Sequence, residues 1–280
     1  MSLSVIVLTS PGREDNLRAC LSALSQQNRL AEKIHIVDDG SQRGAAIVKA
    51  FQTELPLSYD WRPHDYCMSR SYNRAVKALS SERLVFLSGD ILLNPQALSF
   101  YHEYYQALPP SAIWGYFGSH KPESVTSQLI PGRQVNIRDI RLWFTPEEKL
   151  TCPPEMFQHP QIYAWGGNWA LSRSLFTAAG GFDERFSGWG YEDVAFANRL
   201  IAQGVPQAFA IDVWGEHQVH PEGEDSAVAK KNRERIGPLA PSRHEPGLLF
   251  HPGRTDLPQR LIKDYGVVAQ VSGRGTEGGQ

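Results

Sequence analysis

The run Arg-Leu-Val-Phe-Leu-Ser-Gly-Asp at residues 83–90 decides the fold class. Residues 84–87 form a short, continuous apolar stretch, which is the pattern of a strand buried on both faces of a parallel sheet. The run ends in Ser88-Gly89-Asp90, and open α/β sheets bind ligands at the carboxyl ends of their strands. We therefore predict a central strand over 83–87 that ends in a carboxylate beside a binding site.

The segments before this strand alternate between two periodicities. Apolar, β-branched runs predict three more strands, over 4–9, 33–37 and 57–61. Apolar residues at helical spacing predict helices over 14–26, 42–52 and 69–79, the last with Ala75, Val76 and Leu79 facing inward. Pro95 is expected in the first turn of a further helix. This alternation is typical of βαβ units, so we predict an α/β fold with a mainly parallel central sheet flanked by helices.

The second half of the chain is less regular. Helices are predicted over 172–179 and 192–203, the second ended by Gly204, with a strand over 207–211. The Pro-, Gly- and Trp-rich stretch 109–160 is not assigned to helices or strands, and we expect it to hold acceptor-side loops. We predict one domain with a nucleotide-binding half (1–105) and an acceptor and catalytic half (106–221). A C-terminal extension (222–270) and a Gly-rich, disordered tail (271–280) follow.

Composition excludes several classes of protein. The 28 basic and 30 acidic residues are interleaved and give a formal net charge of -2, so no broad attraction for nucleic acid or an anionic membrane is expected. Three cysteines without paired spacing, Cys20, Cys67 and Cys152, suggest neither a disulfide framework nor a thiolate zinc site. With no signal peptide pattern and no membrane-spanning run, we expect a cytoplasmic protein, with peripheral association at the inner membrane face left open.

An acidic pair, Asp38-Asp39, opens the Asp-Asp-Gly-Ser segment that follows the strand predicted over 33–37. Because Asp, Gly and Ser are common in turns and at helix N-caps, a purely structural turn is one interpretation. In the other, one carboxylate accepts a hydrogen bond from a pyrimidine N–H. Together with Asp90, the pair would give a nucleotide diphosphate a group for the base and a hard ligand for a divalent ion on the phosphates.

The most specific pattern lies between residues 165 and 193. It reads Trp-Gly-Gly-Asn-Trp-Ala-Leu-Ser-Arg at 165–173, Gly-Gly-Phe-Asp-Glu at 180–184 and Gly-Trp-Gly-Tyr-Glu-Asp at 188–193. This block resembles galactosyltransferase-like GT-A enzymes, which include β-1,4-galactosyltransferases, bacterial chondroitin polymerases and family-2 glycosyltransferases. The resemblance spans residues 4–221 and implies a GT-A fold. It also implies a hexosyltransferase that moves a sugar from a UDP-sugar to a saccharide or other hydroxyl acceptor, including a lipid-linked one.

The resemblance implies roles for single residues. Asp193 is expected to be the general base of an inverting transfer, and Glu192 to lie beside substrate hydroxyls. Asp90 and His217 are expected to bind Mn²⁺ or Mg²⁺. Contacts to the donor are expected from Thr9, Arg13, Asp38, Asp39, Arg70, Gly89, Asp90, Gly167, Trp189 and Gly190.

The chain departs from the family pattern at two places. Ser88 stands where the first aspartate of a D-x-D motif is usual, so only Asp90 remains as the metal ligand. Tyr72 precedes Asn73 where relatives have Arg-Asn, which leaves open whether Arg70 or Arg74 replaces that contact. His220 is a rival to His217 for the metal, and either histidine could instead be a solvated loop residue.

Other interpretations stay open for the aromatic residues and for the function. Trp165, Trp169 and Trp189 could fill a core or stack on a pyranose. The chain could be a weak or inactive nucleotide-sugar-binding protein of the same fold, or a retaining enzyme like the GalNAc-transferases. Those retaining relatives, however, commonly have Glu-Asn where this chain has Glu192-Asp193. A sugar nucleotidyltransferase is disfavoured because only Gly12 and Arg13 represent the Gly-rich basic loop that it needs.

Overall fold

The structure is a computed structural model that describes residues 2–119, 129–131, 136–138, 143–144, 150–151, 155–218 and 226–249. The strands are β1 (Leu3–Thr9), β2 (Lys33–Asp38), β3 (Leu57–Trp61), β4 (Arg83–Ser88), β5 (Ile91–Leu93), β6 (Ala112–Ser119), β7 (Leu129–Pro131), β8 (Asn136–Arg138), β9 (Trp143–Phe144), β10 (Leu150–Thr151), β11 (Asn168–Ser172), β12 (Gln207–His217) and β13 (Gly247–Leu249). The helices are α1 (Glu14–Ser25), α2 (Gly44–Phe51), α3 (Met68–Ala78), α4 (Ala97–Ala107), α5 (Glu155–Gln158), α6 (Arg173–Ala178), α7 (Glu192–Ala202) and α8 (Ser226–Arg235), with a 3-10 turn at Pro160–Tyr163.

A central sheet runs in the order β13-β12-β6-β11-β4-β1-β2-β3, and β5 also pairs with β12. Strands β4, β1, β2 and β3 are mutually parallel, whereas β11 is antiparallel to both of its neighbours, β4 and β6. The α/β fold with a mainly parallel sheet is therefore confirmed. Because β11 is reversed, its beginning lies at the same sheet edge as the ends of β1 and β4.

Hydrophobic cores cover both faces of the sheet. In β1, Val5 and Val7 pack with Leu17 and Leu21 of α1, while Ile6 and Leu8 belong to the core on the opposite face. That second core is rich in aromatic rings: Trp169 is completely buried and stacks on Phe86 with ring centroids 4.0 Å apart. Burial on both faces explains why the central strands are continuously apolar rather than alternating.

Most predicted elements lie within two residues of the observed ones. Ala75, Val76 and Leu79 are buried as expected. Two details are wrong: the helix after Pro95 begins only at Ala97, and the last predicted strand continues past Ile211 to His217. The central strands β6, in the stretch expected to hold loops, and β11 were not predicted. The predicted tail, 271–280, lies outside the described residues. Within the described part of the chain, every helix is too short or too polar to cross a membrane.

Candidate functional site

A cavity of about 800 Å³ opens at the carboxyl edge of the central sheet. Strands β1 and β4 end there, β11 begins there, and the first turn of α7 points into it. Most of the predicted site residues line this cavity: Thr9, Arg13, Asp39, Gly89, Asp90, Gly167, Trp189, Gly190, Glu192, Asp193 and His217. Its volume is in the range of small-molecule binding sites. Residues that are far apart in the sequence thus meet in one pocket.

Asp90 and His217 lie next to each other because β12 pairs with β5. This pairing places His217 opposite Ile91, and His217 Nε2 is 3.5 Å from Asp90 Oδ2. Burial alone would raise the pKa of Asp90, but hydrogen bonding and charge from His217, together with Ser88 and Arg13, lower it below its ordinary value. Asp90 is therefore held as an anion beside an imidazole.

The chemistry of this pair fits a divalent cation. The carboxylate is a ligand for either Mn²⁺ or Mg²⁺, the imidazole nitrogen favours the transition-metal ion, and the pair leaves positions open for phosphate oxygens. Among the described residues, no cluster of three or more His, Cys, Asp or Glu side chains forms a closed metal site. His220, the rival ligand, lies outside the described residues. The pair by itself supplies two ligand atoms and leaves the other coordination positions of an ion to further groups.

The segment that carries His217 is anchored to helix α1. The Gln218 N–H donates to the Asp90 carbonyl at 2.9 Å. The Gln218 side chain donates to the Asn16 carbonyl at 3.0 Å and accepts from the Asn16 amide at 3.3 Å. These contacts restrain the histidine before any ligand is bound.

Gly89 allows the turn after β4 to cross the end of β1. Its N–H donates to the Leu8 carbonyl at 2.8 Å, and a Cβ at this position would lie 2.9 Å from that oxygen. A side chain would push the turn away from β1. The middle residue of the Ser-Gly-Asp sequence is thus required by packing, whatever ligand binds beside it.

The two acidic residues after β2 have different environments. Asp38 is completely buried outside the cavity, where it accepts hydrogen bonds from the Ser41 N–H at 2.7 Å, the Ser41 hydroxyl and the Tyr59 hydroxyl. The structural interpretation of the turn therefore holds for Asp38, and the expected donor contact from this residue is not supported. Asp39 is the member of the pair that lines the cavity.

Asp39 is held by a buried arginine, Arg62, that no sequence pattern singled out. Arg62 Nη2 is 2.8 Å from Asp39 Oδ1, His64 Nδ1 is 2.7 Å from Oδ2, and the Asp65 N–H donates to Oδ1 at 3.3 Å. Burial raises the pKa of Asp39, although the charges of Arg62 and His64 oppose the shift. A charged residue just after a predicted strand, in Trp61-Arg62-Pro63, was the available signal, but such residues are usually solvated.

The arginines of helix α3 do not reach the cavity. Arg70 forms ion pairs with Asp65 and Glu184, and Arg74 pairs with Asp60. The expected donor contact from Arg70 is therefore not supported, and Arg74 does not replace it. Arg13 does line the cavity; burial lowers its pKa, and the negative charge of Asp90 opposes the shift.

Glu192 and Asp193 begin helix α7 but are held differently. One oxygen of Asp193 accepts from the Val194 N–H at 2.7 Å and the other from the Gly166 N–H at 2.8 Å. Asp193 thus satisfies a free amide at the start of its helix and is also fixed against the loop before β11. Glu192 is buried, and its Oε2 has no hydrogen-bond partner among the described residues. Burial, and then the charge of Asp193, raise the pKa of Glu192 to about 8.

The three tryptophans separate into core and cavity residues. Trp169 belongs to the aromatic core, so the core interpretation holds for it. Trp165 lines the cavity and donates its indole N–H to the Ile162 carbonyl at 3.2 Å. Trp189 also lines the cavity and is 61% exposed. An exposed indole at the mouth of a cavity offers a flat apolar surface to a ligand.

Two family profiles match the chain. The profile described as glycosyl transferase family 2 matches residues 4–176, and the one described as the N-terminal domain of galactosyltransferase matches residues 151–211. Among curated proteins, validoxylamine A glucosyltransferase of Streptomyces hygroscopicus subsp. limoneus is 26% identical, with 81% of this chain and 54% of that protein covered. Chondroitin synthase of Escherichia coli is 25% identical, with 81% and 36% covered. The chain therefore spans about half or less of the length of these relatives.

Solved structures share the fold. S. aureus TarS 1-349 in complex with UDP-GlcNAc has a TM-score of 0.59 at 16% identity, with 84% of this chain and 65% of that chain covered. Mannosyltransferase PcManGT from Pyrobaculum calidifontis, in complex with GDP-Man and Mn2+, has a TM-score of 0.57 at 16% identity, with 84% and 61% covered. At these identities the likeness establishes the GT-A fold alone.

Proposed function

Because the chain belongs to glycosyl transferase family 2, whose profile spans residues 4–176, we propose that it transfers a sugar from a UDP-sugar to an acceptor hydroxyl. The carrying observation is that Asp39, Asp90, His217 and Asp193 line one cavity of about 800 Å³. This set contains an acceptor for a base N–H, ligands for a divalent ion and a carboxylate able to take a proton. A saccharide is the proposed acceptor, by analogy with the curated relatives.

The diphosphate of the donor is proposed to lie between Asp90, His217 and Arg13. Asp90 and His217 are the residues that would hold Mn²⁺ or Mg²⁺, and the bound ion would neutralise the charge on the departing diphosphate. Arg13, which faces the charge of Asp90 in the same cavity, would donate to a phosphate oxygen. We propose that the single remaining aspartate of the motif suffices because the His217 imidazole lies next to it.

Asp39 is proposed to accept a hydrogen bond from uracil N3–H. A carboxylate has about four lone-pair positions, and Arg62, His64 and the Asp65 N–H occupy three of them. These partners fix the carboxylate, which still has capacity for one more donor. Cytosine lacks the N3–H, so UDP should be preferred over CDP.

Asp193 is proposed to be the general base. Its contacts with the Gly166 and Val194 N–H groups and its place at the N-terminus of α7 favour the negative carboxylate. A base on the acceptor side, opposite the leaving UDP, implies a single displacement with inversion at the anomeric carbon. Glu192 is proposed to contact a hydroxyl of either substrate.

A release assay tests this proposal. The protein would be incubated with UDP-glucose, UDP-galactose, UDP-GlcNAc, UDP-GalNAc or UDP-glucuronate in Mn²⁺ or EDTA, and free UDP would be measured with and without a panel of saccharides. We expect saccharide-dependent UDP release in Mn²⁺, none in EDTA, and inversion in the product. Stabilisation by UDP without release from any donor would instead favour a nucleotide-sugar-binding protein. A product that retains the anomeric configuration would contradict the role of Asp193.

A further inference from the structure

Asn232 of helix α8 is a completely buried side chain outside the cavity. Its Nδ2 donates toward three carbonyl oxygens of one loop, those of Ser187 at 3.1 Å, Gly190 at 3.1 Å and Trp189 at 3.3 Å. Its Oδ1 accepts from Arg235 Nη1 at 3.2 Å. The arginine fixes the orientation of the amide, so that its two hydrogens face the loop.

The loop at residues 187–191 needs such a partner because its backbone is irregular. Gly188, Gly190 and Tyr191 all have positive φ, at 71°, 94° and 72°. The carbonyl groups of this loop therefore cannot form the regular hydrogen bonds of a helix or a strand. On its other side the Gly188 N–H donates to the Tyr66 carbonyl at 2.7 Å. The loop is therefore held between the segment before α3 and helix α8.

Helix α8 packs directly on this loop. A Cβ at Gly188 would lie 2.7 Å from Cγ1 of Val228, so a side chain there would force the helix away. Val228 and Asn232 lie one helical turn apart, on the same face of α8. The glycine and the asparagine therefore belong to one close contact between loop and helix.

This loop carries groups of the proposed site. Trp189 at its centre lines the cavity with an exposed indole, and Tyr191 at its end leads directly into Glu192 and Asp193. Displacing the Trp189 and Gly190 carbonyls would move both the indole and the first turn of α7. Asn232 is thus placed to influence the side of the cavity that Trp189 lines, without lining the cavity itself.

We propose that Asn232 is a positioning residue that holds Trp189 and the start of α7 in the geometry needed for sugar transfer. This makes helix α8, which lies beyond both matched profiles, a part of the functional unit. The inference rests on the proposed function for its kinetic consequence, whereas the effect on the loop itself does not depend on that function.

The test compares Asn232→Asp and Asn232→Ala with Lys231→Ala, a control at an exposed neighbouring position on α8. Asn232→Asp keeps the size and the contact to Arg235 but removes the two donors. Deuterium uptake of peptides covering residues 187–191 should become faster in both Asn232 variants and remain unchanged in the control. Turnover of the best UDP-sugar should fall by about 10- to 100-fold, the scale expected for a misplaced reactive group. Affinity for UDP with Mn²⁺ should change less than about twofold, because the residues proposed to bind UDP and the ion lie on or just after β1, β2, β4 and β12 rather than on the loop at 187–191.

Each other outcome is decisive. If Asn232→Asp leaves deuterium uptake unchanged, Asn232 does not hold the loop, even if transfer by the parent protein is established. If uptake rises but turnover is unchanged, the loop is held without consequence for transfer, and the positioning role is refuted. If UDP affinity and turnover fall together in proportion to the folded fraction, the residue is merely structural. If the parent protein releases no UDP from any donor, the proposed function fails, while the uptake result still tests the contact.

Discussion

The His217 imidazole lies 3.5 Å from the Asp90 carboxylate, and the backbone pairing of β12 with β5 maintains this proximity. Strand β12 therefore places an imidazole nitrogen beside the turn after β4, where Ser88 stands in place of the first aspartate of the usual motif. This relationship makes the metal hypothesis directly testable.

Asp90→Ala and His217→Ala should each abolish the Mn²⁺-dependent part of UDP binding. Since loss of metal assistance is worth several kcal/mol in the transition state, turnover should fall by more than about 100-fold. Thermal shift with UDP in Mn²⁺ and in EDTA measures the binding effect without turnover. His244→Ala, at an exposed histidine outside the cavity, is the control. If His220→Ala abolishes the Mn²⁺ effect and His217→Ala does not, the ligand is assigned to the wrong histidine.

Asp39→Asn should reduce the preference for uracil nucleotides. UDP should stabilise the parent protein more than CDP or GDP, and loss of a charged acceptor should weaken UDP by about 10- to 100-fold. The variant also leaves buried Arg62 with less counter-charge, so its melting temperature should fall. A change in the ratio of UDP to GDP affinity reports on recognition of the uracil base, because a loss of protein stability alone would weaken both nucleotides equally. Asp38→Asn, outside the cavity, should lower stability and leave that ratio intact; equal binding of UDP and GDP by the parent would contradict the assignment.

Asp193→Asn should lower kcat by roughly 10²–10⁴-fold, the usual contribution of a general base. UDP affinity should barely change, because the residues proposed to bind UDP are Asp39, Asp90, His217 and Arg13, whereas Asp193 accepts hydrogen bonds from Gly166 and Val194. Single-turnover rates and UDP titrations measure the two effects. Asp183→Asn, paired with Arg185 outside the cavity, is the matched control. Near-parental turnover in Asp193→Asn would mean that another group takes the proton.

Glu192→Gln should stabilise the fold at alkaline pH. The pKa of Glu192 is raised from 4.5 to about 8 in the folded protein. The contribution of the protonated carboxyl to the free energy of unfolding is therefore fully present below about pH 4.5 and is lost as the pH rises toward 8. Urea unfolding in EDTA should therefore give the variant and the parent protein similar free energies of unfolding near pH 4.5. Above pH 8 the free energy of unfolding of the variant should be higher, on the order of a few kcal/mol.

The control for this experiment is Glu184, whose pKa is shifted in the opposite direction. Hydrogen bonds from Asn73 and Arg70 lower the pKa of Glu184 despite partial burial. Its stabilising effect is present above about pH 4.5 and lost as pH falls, so Glu184→Gln should lose a little stability at neutral pH. If Glu192→Gln followed the same trend, the carboxyl of Glu192 would not be protonated in the folded state.

Sequence patterns predicted the parts of the fold in which apolar residues form a continuous run or recur at regular spacing. The apolar run at 84–87 and the inward residues of α3 are examples, since burial on fixed faces leaves a direct trace in residue type. Strand β11 was not predicted, and its short buried run Asn-Trp-Ala-Leu-Ser would not have indicated its reversal, because the pattern is the same for either strand direction. The end of β12 was missed because Gly215-Glu216-His217 is polar although it pairs with β5.

The residues that line the cavity were predicted in part. Resemblance supplied Asp39, Asp90, Asp193 and His217, all of which line the cavity. It also supplied Asp38 and Arg70, whose hydrogen-bond and ion-pair partners lie outside it, and such tertiary partners are not visible in a linear motif. Arg62 and Asn232 were missed for the same reason: their role depends on what surrounds them once the chain is folded.

The antiparallel insertion of β11 also has a consequence for synthesis of the chain. β11 covers the hydrogen-bonding edge of β4, yet it is made about eighty residues later, at Asn168–Ser172. Until then the nascent protein presents an open edge on a strand that is apolar on both faces, a surface prone to pairing with other chains. Residues 1–105, the half expected to bind the nucleotide, should therefore aggregate when expressed alone. The edge of β4 is covered only after β11 has been synthesised and has paired with it.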